Sequence, residues 1–543
     1  LACLLALIAF VVWSSIRESA PEKARPTAAA PEATPALIVD TTPASRPVTD
    51  RAGRDYLSAL KSLERLRAPL AKEKARPKEA VIVFRDPDAY RRFLARAVAC
   101  GFKVLAKLDG LNAVRIGYDS LADLASDMAA NAADYGDLDA NFLVSAPEVP
   151  TETDPRFDGK FTPFGSDKQL FDFLGIEGDT SKWGNGVTIA ILDSGVAADP
   201  TFGTNRVRYI DIGQGVFPLA DNGHGTAVAS LAGGMDPMAM GTAPGSNLLS
   251  IRVTGTDGLS DSFTIAQALV AAVDAGAQVV NISMGSYGNT AVMTNAVTYA
   301  TSRGVMIVAS AGNDQVAQLT WPAADPRVIS VGGVDLSEQQ VIFSNSGDNL
   351  QISAPGLGLP SAWTNNQRVL MDGTSGSAPL VAGSIAAMMS QNPGLSPVQA
   401  WQLLRTYSSD GGTPGPDPNF GAGILNVGWA MNRNNYNRID TAVSSQFFDP
   451  TTLEMQFVVQ NRSARGVGGL ELDVNTTVGA KDFSVPWLGP GGIYSVRMPV
   501  DYQTLRAYGR ADYTATLINP PGLIDAIPAN NQRNNRITVV GAQ

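Results

Sequence analysis

Residues 187–195 read VTIAILDSG: six apolar or β-branched residues of strand length that end on Asp193 and a Ser-Gly turn. The same design recurs in NLLSIRV at 247–253, QVVNIS at 278–283, VMIVAS at 305–310 and RVISVGG at 327–333. Runs this uniformly apolar belong to strands buried on both faces, as in parallel sheets covered by helices. Ala-rich helical patterns at 262–275 and 290–303 lie between them, so the reading is an α/β fold, a doubly wound and mostly parallel sheet with crossover helices. Such folds bind ligands at the carboxyl ends of their strands.

Four polar residues stand at such ends or at helix entrances. Asp193 closes the first run, although Asp-Ser-Gly is also an ordinary turn. His224 lies in DNGHGTAVASLAG (221–233), where flanking glycines let the backbone crowd close; its alternative is a satisfied core histidine. Ser375 lies in GTSGSAP (373–379) ahead of the apolar helix LVAGSIAAMM. The amino end of that helix carries unpaired N–H groups that stabilise an alkoxide or oxyanion, while the competing role for the serine is to cap the helix. Asn313, just past VMIVAS, can donate an amide hydrogen to a developing negative oxygen, though Ala-Gly-Asn is a common loop triplet.

Composition narrows the chemistry. The 543 residues carry a net charge of −10 with no long basic run, so neither nucleic acid nor anionic lipid is an expected partner. Cys3 and Cys100 are the only cysteines, which removes thiol chemistry from everything after residue 100. A single histidine removes multi-histidine metal sites, and any imidazole chemistry falls to His224.

Outward from the centre, six segments are expected. Residues 1–20 open on the uncharged run LACLLALIAFVVW, an export signal or membrane anchor whose start without Met reads as truncated. A Pro/Ala-rich linker covers 21–50 and a charged helical spacer 51–79. Residues 80–148 show β-α-β-β-α-β order, with strands at 80–84, 103–108, 112–116 and 141–145 and helices at 87–99 and 121–133. The α/β domain takes 149–432. Residues 433–543 are all strand signal (453–459, 469–474, 493–500, 512–518, 537–540), an expected immunoglobulin-like β-sandwich.

Asp193-Ser194-Gly195, His224-Gly225-Thr226 and Gly373-Thr374-Ser375 with Pro379 resemble, in that order, the three signatures of the subtilisin-like serine proteases. The likeness runs over about 141–432: Asn141-Phe142 with Asp154-Pro155-Arg156-Phe157 is similar to the junction of propeptide and mature enzyme, and GAGILNVGWAM (421–431) to the closing segment. Gly376 and Leu380 depart from the commoner Met and His, which touches pocket details only.

The resemblance implies an exported, self-processing serine endopeptidase, periplasmic or extracellular. Ser375 would be nucleophile, His224 general base, Asp193 its orienting carboxylate and Asn313 the oxyanion donor. It further implies a substrate rail at Ser283, Met284 and Gly285, a pocket wall at Ala311 and Gly312, polypeptide substrates, and the chain's own propeptide, 80–148, as inhibitor and folding chaperone. Cleavage is expected between 144 and 154. No cofactor is needed for the chemistry, calcium is a structural option by resemblance alone, no metal residues are assigned, and membrane contact would come only through the amino-terminal apolar run. The alternative is a catalytically silent scaffold that binds a surface or partner through its sandwich.

Overall fold

The computed structural model describes residues 61, 63, 64, 66, 74–146, 161–213, 223–255, 258–449, 451–477, 479–500 and 502–538. The expected export segment, the linker and most of the helical spacer lie outside them, and the described residues belong to one compact unit, Asp50–Gln543.

The first elements are β1 (Ala75–Phe84), α1 (Pro87–Arg96), β2 (Lys103–Leu108), β3 (Ala113–Gly117), α2 (Leu121–Ala130) and β4 (Tyr135–Val144). The strands pair antiparallel in the order β4-β1-β3-β2. Each helix starts on a side-chain cap: Asp86 accepts from Ala89 N–H and Ser120 from Ala122 N–H. One face of the sheet buries Ile82, Phe84 and Ile116 against Phe93 and Leu124 of the two helices.

Two boundaries differ from the sequence reading. Residues 75–79, read as the end of a helical spacer, form the start of β1, and β4 begins at Tyr135 rather than Asn141. Both stretches carry charged residues on exposed positions, and bulges between the two strands break the alternation that marks a strand.

A short strand, β8 (Ser260–Asp261), extends this sheet from the next part of the chain by pairing with Leu143 and Val144. That part holds α3 (Asp167–Phe173), β5 (Thr188–Asp193), β6 (Val207–Asp211), α4 (His224–Gly233), β7 (Asn247–Arg252), α5 (Ser262–Asp274), β9 (Val279–Ile282), α6 (Ala291–Thr301), β10 (Met306–Ser310), β11 (Ile329–Val334), β12 (Ile352–Pro355) and α7 (Thr374–Gln391). Seven strands form a parallel sheet in the order β12-β11-β10-β9-β5-β7-β6.

Alternation along β5 serves both faces. Ile189 and Ile191 pack under α4 and α7, while Ala190 and Leu192 pack under α5 and α6. Each such Ile or Leu contributes about 1.5–3 kcal/mol by leaving water. The chain goes from β5 to β6 at the edge, returns through β7 between them, then crosses to β9 on the other flank of β5. β5, β9 and β10 are therefore consecutive in the sheet and their carboxyl ends lie side by side at the reversal.

The carboxy-terminal strands are β13 (Thr441–Asp449), β14 (Glu454–Asn461), β15 (Glu471–Thr476), β16 (Gly479–Ser484), β17 (Ile493–Pro499), β18 (Arg510–Ile518) and β19 (Gln532–Thr538). They form two antiparallel sheets, β13-β14-β17 and β16-β15-β18-β19, which share a core that includes Phe457, Val459, Leu472, Val474, Tyr513 and Leu517. This is an immunoglobulin-like order in which the fourth strand pairs with the third. β13 and β16 escaped the sequence reading, and β19 starts at Gln532 rather than Ile537. β13 carries Ser444, Ser445 and Gln446 at its centre, buried but polar, and β16 is largely exposed.

Ser444 explains part of that polarity. Its hydroxyl donates to the Asp410 carbonyl (2.8 Å), and the Asp410 N–H donates to Gln460 Oε1 (3.2 Å), so a buried polar seam joins the sandwich to the α/β part. Burial pushes the Asp410 carboxyl up to about 7, against a hydrogen bond from Gly415 N–H. Its Oδ2 has no hydrogen-bond partner among the described residues.

An unfolded aspartate ionises near 4, so between about pH 4 and 7 the folded form holds the extra proton and stability falls as pH rises. Asp410→Asn, which keeps the Gly415 acceptor, is expected to raise the unfolding midpoint at pH 8, by a free energy on the order of 2–4 kcal/mol, and to change little at pH 4. Thermal scans of both proteins at the two pH values check this.

Candidate active site

Asp193 is the last residue of β5, and its carboxylate is 1% exposed. Oδ1 accepts from Ser194 N–H at 2.7 Å and meets His224 Nδ1 at 2.8 Å. His224 is the first residue of α4. Gly225 allows the approach: a β-carbon there would lie 2.3 Å from the Gly195 carbonyl oxygen and 3.1 Å from Asp193 Oδ1. Burial opposes a charged imidazole, but the Asp193 carboxylate and its hydrogen bond outweigh it and raise the His224 pKa above its ordinary value.

On the other side of the reversal, Ser375 is the second residue of α7, not its cap; the cap position is Gly373. The Ser375 N–H is in the first turn, where no intrahelical acceptor exists. Pro379 lies inside the same helix and has no N–H for the carbonyl four residues back. That carbonyl, Ser375 O, accepts instead from Ser283 Oγ at 2.8 Å, and Ser283 Oγ accepts from Asn281 Nδ2 at 2.9 Å. The end of β9 is thereby tied to the start of α7. The Ser375 hydroxyl donates to the Ser283 carbonyl at 3.4 Å.

Asn313 follows β10 by three residues, and its Oδ1 accepts from Thr374 N–H (3.0 Å) and Thr374 Oγ1 (2.8 Å). Those bonds orient the carboxamide with its Nδ2 donor away from Thr374. Gly312 holds φ +111°, and a β-carbon there would strike Asn345 Nδ2 at 2.3 Å. Asn345 itself braces this loop by accepting from the N–H groups of Asp314 and Val316 and donating to the Ala311 carbonyl.

The sequence candidates thus come together as two halves. Asp193 and His224 form one hydrogen-bonded pair. Ser375, Ser283 and Asn313 form the other, linked through Thr374. α4 and α7 pack against each other and bring the halves to one end of the sheet. The hydrogen bond of the Ser375 hydroxyl goes to Ser283, and that of His224 Nδ1 to Asp193.

Met284 is buried, and Gly285 pairs with Ser145. Ala311 and Gly312 are buried. Asp314 is exposed and accepts from the Tyr287 hydroxyl. The supporting roles of Thr374 and Asn345 escaped the sequence reading. Thr374 sits beside the serine in its motif and could have been flagged, whereas nothing local marks Asn345.

The chain finds close relatives over this region. The profile of the subtilase family matches residues 184–423. Subtilisin BL from Lederbergia lenta is 33% identical over 248 residues, which span 45% of this chain and 90% of that protein; Subtilisin Savinase from the same organism is 32% identical with the same coverage. The chain belongs to the subtilase family. It is a serine endopeptidase, as its relatives are named proteases. The crystal structure of the epidermin leader peptide processing serine protease from Staphylococcus aureus covers 65% of this subtilase and 97% of its own chain, with a TM-score of 0.53 and 20% identity, a likeness of fold.

Among the described residues no group of three or more acidic, histidine or cysteine side chains is placed to hold the calcium that the family resemblance allows. Where Asp199 and Asp236 approach each other, the Arg368 guanidinium stands between them and bonds to both.

Because the chain has one histidine, its imidazole proton resonance is unambiguous. Titration is expected to place the His224 midpoint above about 6.5. In Asp193→Asn, where burial acts without the carboxylate, the midpoint should fall below that value.

Proposed function

We propose that this subtilase is an exported, self-processing zymogen, with residues 80–148 as inhibitory propeptide, 149–432 as catalytic domain and 433–543 as β-sandwich. Ser375 Oγ attacks the scissile carbonyl, His224 takes its proton and later returns it to the leaving amine, and Asp193 holds Nδ1–H and the imidazolium that forms. Asn313 Nδ2 and the Ser375 N–H receive the oxyanion. Substrate is polypeptide, held extended along Ser283–Gly285 by backbone hydrogen bonds, with Ala311 and Gly312 walling a roomy pocket. The apolar run at 1–13 supports export.

One observation carries the zymogen reading. Beyond β4 the chain runs onto the rail, where Gly285 N–H donates to the Ser145 carbonyl at 3.1 Å and Ser145 N–H to the Gly285 carbonyl at 3.4 Å. Cleavage falls beyond this pair, within 145–154, between the propeptide and the catalytic domain.

The amino terminus of the matured protein is expected within 145–154, with no maturation in purified Ser375→Ala. Mass spectrometry that found a new terminus outside 145–154, or maturation of the alanine variant, would defeat the reading. Asn313→Ala should keep the Ser375 nucleophile but lose about 100- to 1,000-fold in kcat, which steady-state peptide hydrolysis measures.

A further inference from the structure

In extended chain, successive side chains point to opposite faces, and contacts along 283–288 show where each set goes. Met284 packs in one apolar cluster with Val144, Ile265 and Met293. Val144 lines a small pocket with Ser286 and Gly288, and a β-carbon on Gly288 would lie 2.2 Å from the Phe142 ring. Residues 142 and 144 therefore share a face with 284, 286 and 288, and that face is filled and mostly apolar.

The opposite face carries Gly285 and Tyr287. A β-carbon on Gly285 would lie 2.5 Å from Thr320 Oγ1, which bonds to the Ser310 carbonyl, so this face turns toward the loop after β10. Ser145 pairs with Gly285, and residues directly opposite in an antiparallel pair present their side chains on the same face. Ser145 is exposed and Gly285 brings no side chain. A longer side chain in the place of Ser145 would therefore meet Tyr287, the next side chain on that face.

Tyr287 is half-buried, and its hydroxyl donates to the exposed Asp314 carboxylate and accepts from Asn345 Nδ2 at 2.8 Å. Burial and the carboxylate both raise the Tyr287 pKa above its ordinary value, so the hydroxyl stays a donor and the ring stays neutral. An aromatic face with a carboxylate at its edge attracts a cation twice, through the ring quadrupole and through charge. One cation is already there: Lys74 Nζ stands 5.8 Å from the centroid of the Tyr287 ring. The Lys74 carbonyl accepts from Leu143 N–H at 3.0 Å, which sets this lysine beside the strand that enters the rail.

We propose that Tyr287 and Asp314 form a subsite for a cationic side chain, lysine or arginine, on the substrate residue that pairs with Gly285, and that Lys74 fills it until the amino-terminal segment leaves. The inference rests on the reading of Ser283–Gly285 as a rail for polypeptide, and it adds a preference to that rail.

The test is hydrolysis, by the enzyme that the full chain releases on processing, of peptides copying residues 141–156. One peptide carries Ser145→Lys, a second has norleucine at that position, which has similar length without the charge, and a third carries Val144→Lys. The lysine peptide is expected to exceed the norleucine peptide in kcat/KM by roughly fivefold, by less at about 1 M salt, while Val144→Lys slows hydrolysis relative to the unaltered sequence. Asp314→Asn, which keeps an acceptor for the Tyr287 hydroxyl, and Tyr287→Leu should each bring the lysine-to-norleucine ratio toward one. That ratio cancels any loss common to both peptides, such as a slackened loop after β10, and if Tyr287→Leu does not fold, Asp314→Asn carries the comparison. A ratio of one or less in the parent enzyme, a ratio indifferent to Asp314→Asn, or lysine favoured at 144 instead would each overturn the subsite and leave the rail standing. Failure to cut any peptide of the set would overturn both.

Discussion

The constraint on which this protein depends is that both faces of its central sheet must be kept from water. β5 gives Ile189 and Ile191 to one face and Ala190 and Leu192 to the other, and no residue along it can face solvent without exposing a strand built to be dry. Helices are therefore obligatory on both sides, and crossover connections of one hand follow. The only places where polar groups can be both ordered and reachable are the strand ends. The carboxyl ends of β5, β9 and β10 are where Asp193, Ser283 and Asn313 are found.

Order at those ends comes from a few bonds between elements far apart in sequence. Pro379 leaves one helix carbonyl without its usual donor, and Ser283 supplies it. Thr374 takes the oxygen of Asn313. Asp193 sets the ring of His224. Each bond uses a group the local backbone could not satisfy, so the same bonds that complete the hydrogen bonding of α7 and the loop after β10 also orient Asn313 and His224.

The amino-terminal sheet is held to the α/β part by related means. Asp139 Oδ2 accepts from Ala291 N–H at the start of α6, and Asn141 Oδ1 accepts from Phe263 N–H at the start of α5 (2.8 and 3.2 Å). A carboxylate and an amide oxygen thus meet the partial positive charge of two helix starts. Beside them Arg115 pairs with Asp261 at 2.8 Å, and Val81, Val83 and Ala113 add the apolar contact with the two helices. Polar recognition at the helix starts fixes the register, and β4 accordingly delivers Ser145 to Gly285 rather than to some other point on the edge.

Much of this was open to reading in one dimension, because dry parallel strands write themselves as unbroken apolar runs and because short motifs on strand ends are local. VTIAIL and its four successors and the order of Asp193, His224 and Ser375 belong to that class. Four of the strands that escaped, β6, β12, β13 and β16, lack such runs: β6 is mostly outside the core, β12 is four residues long, β13 buries Ser444 and Gln446 against another domain, and β16 is mostly exposed. Which carbonyl the Ser375 hydroxyl meets and how Asn345 braces the loop after β10 depend on pairs of residues 27 to 92 positions apart. Spacing within a chain carries the periodicity of its own strands and helices, but no trace of the distant group that will satisfy a buried donor. Only the packed structure decides that.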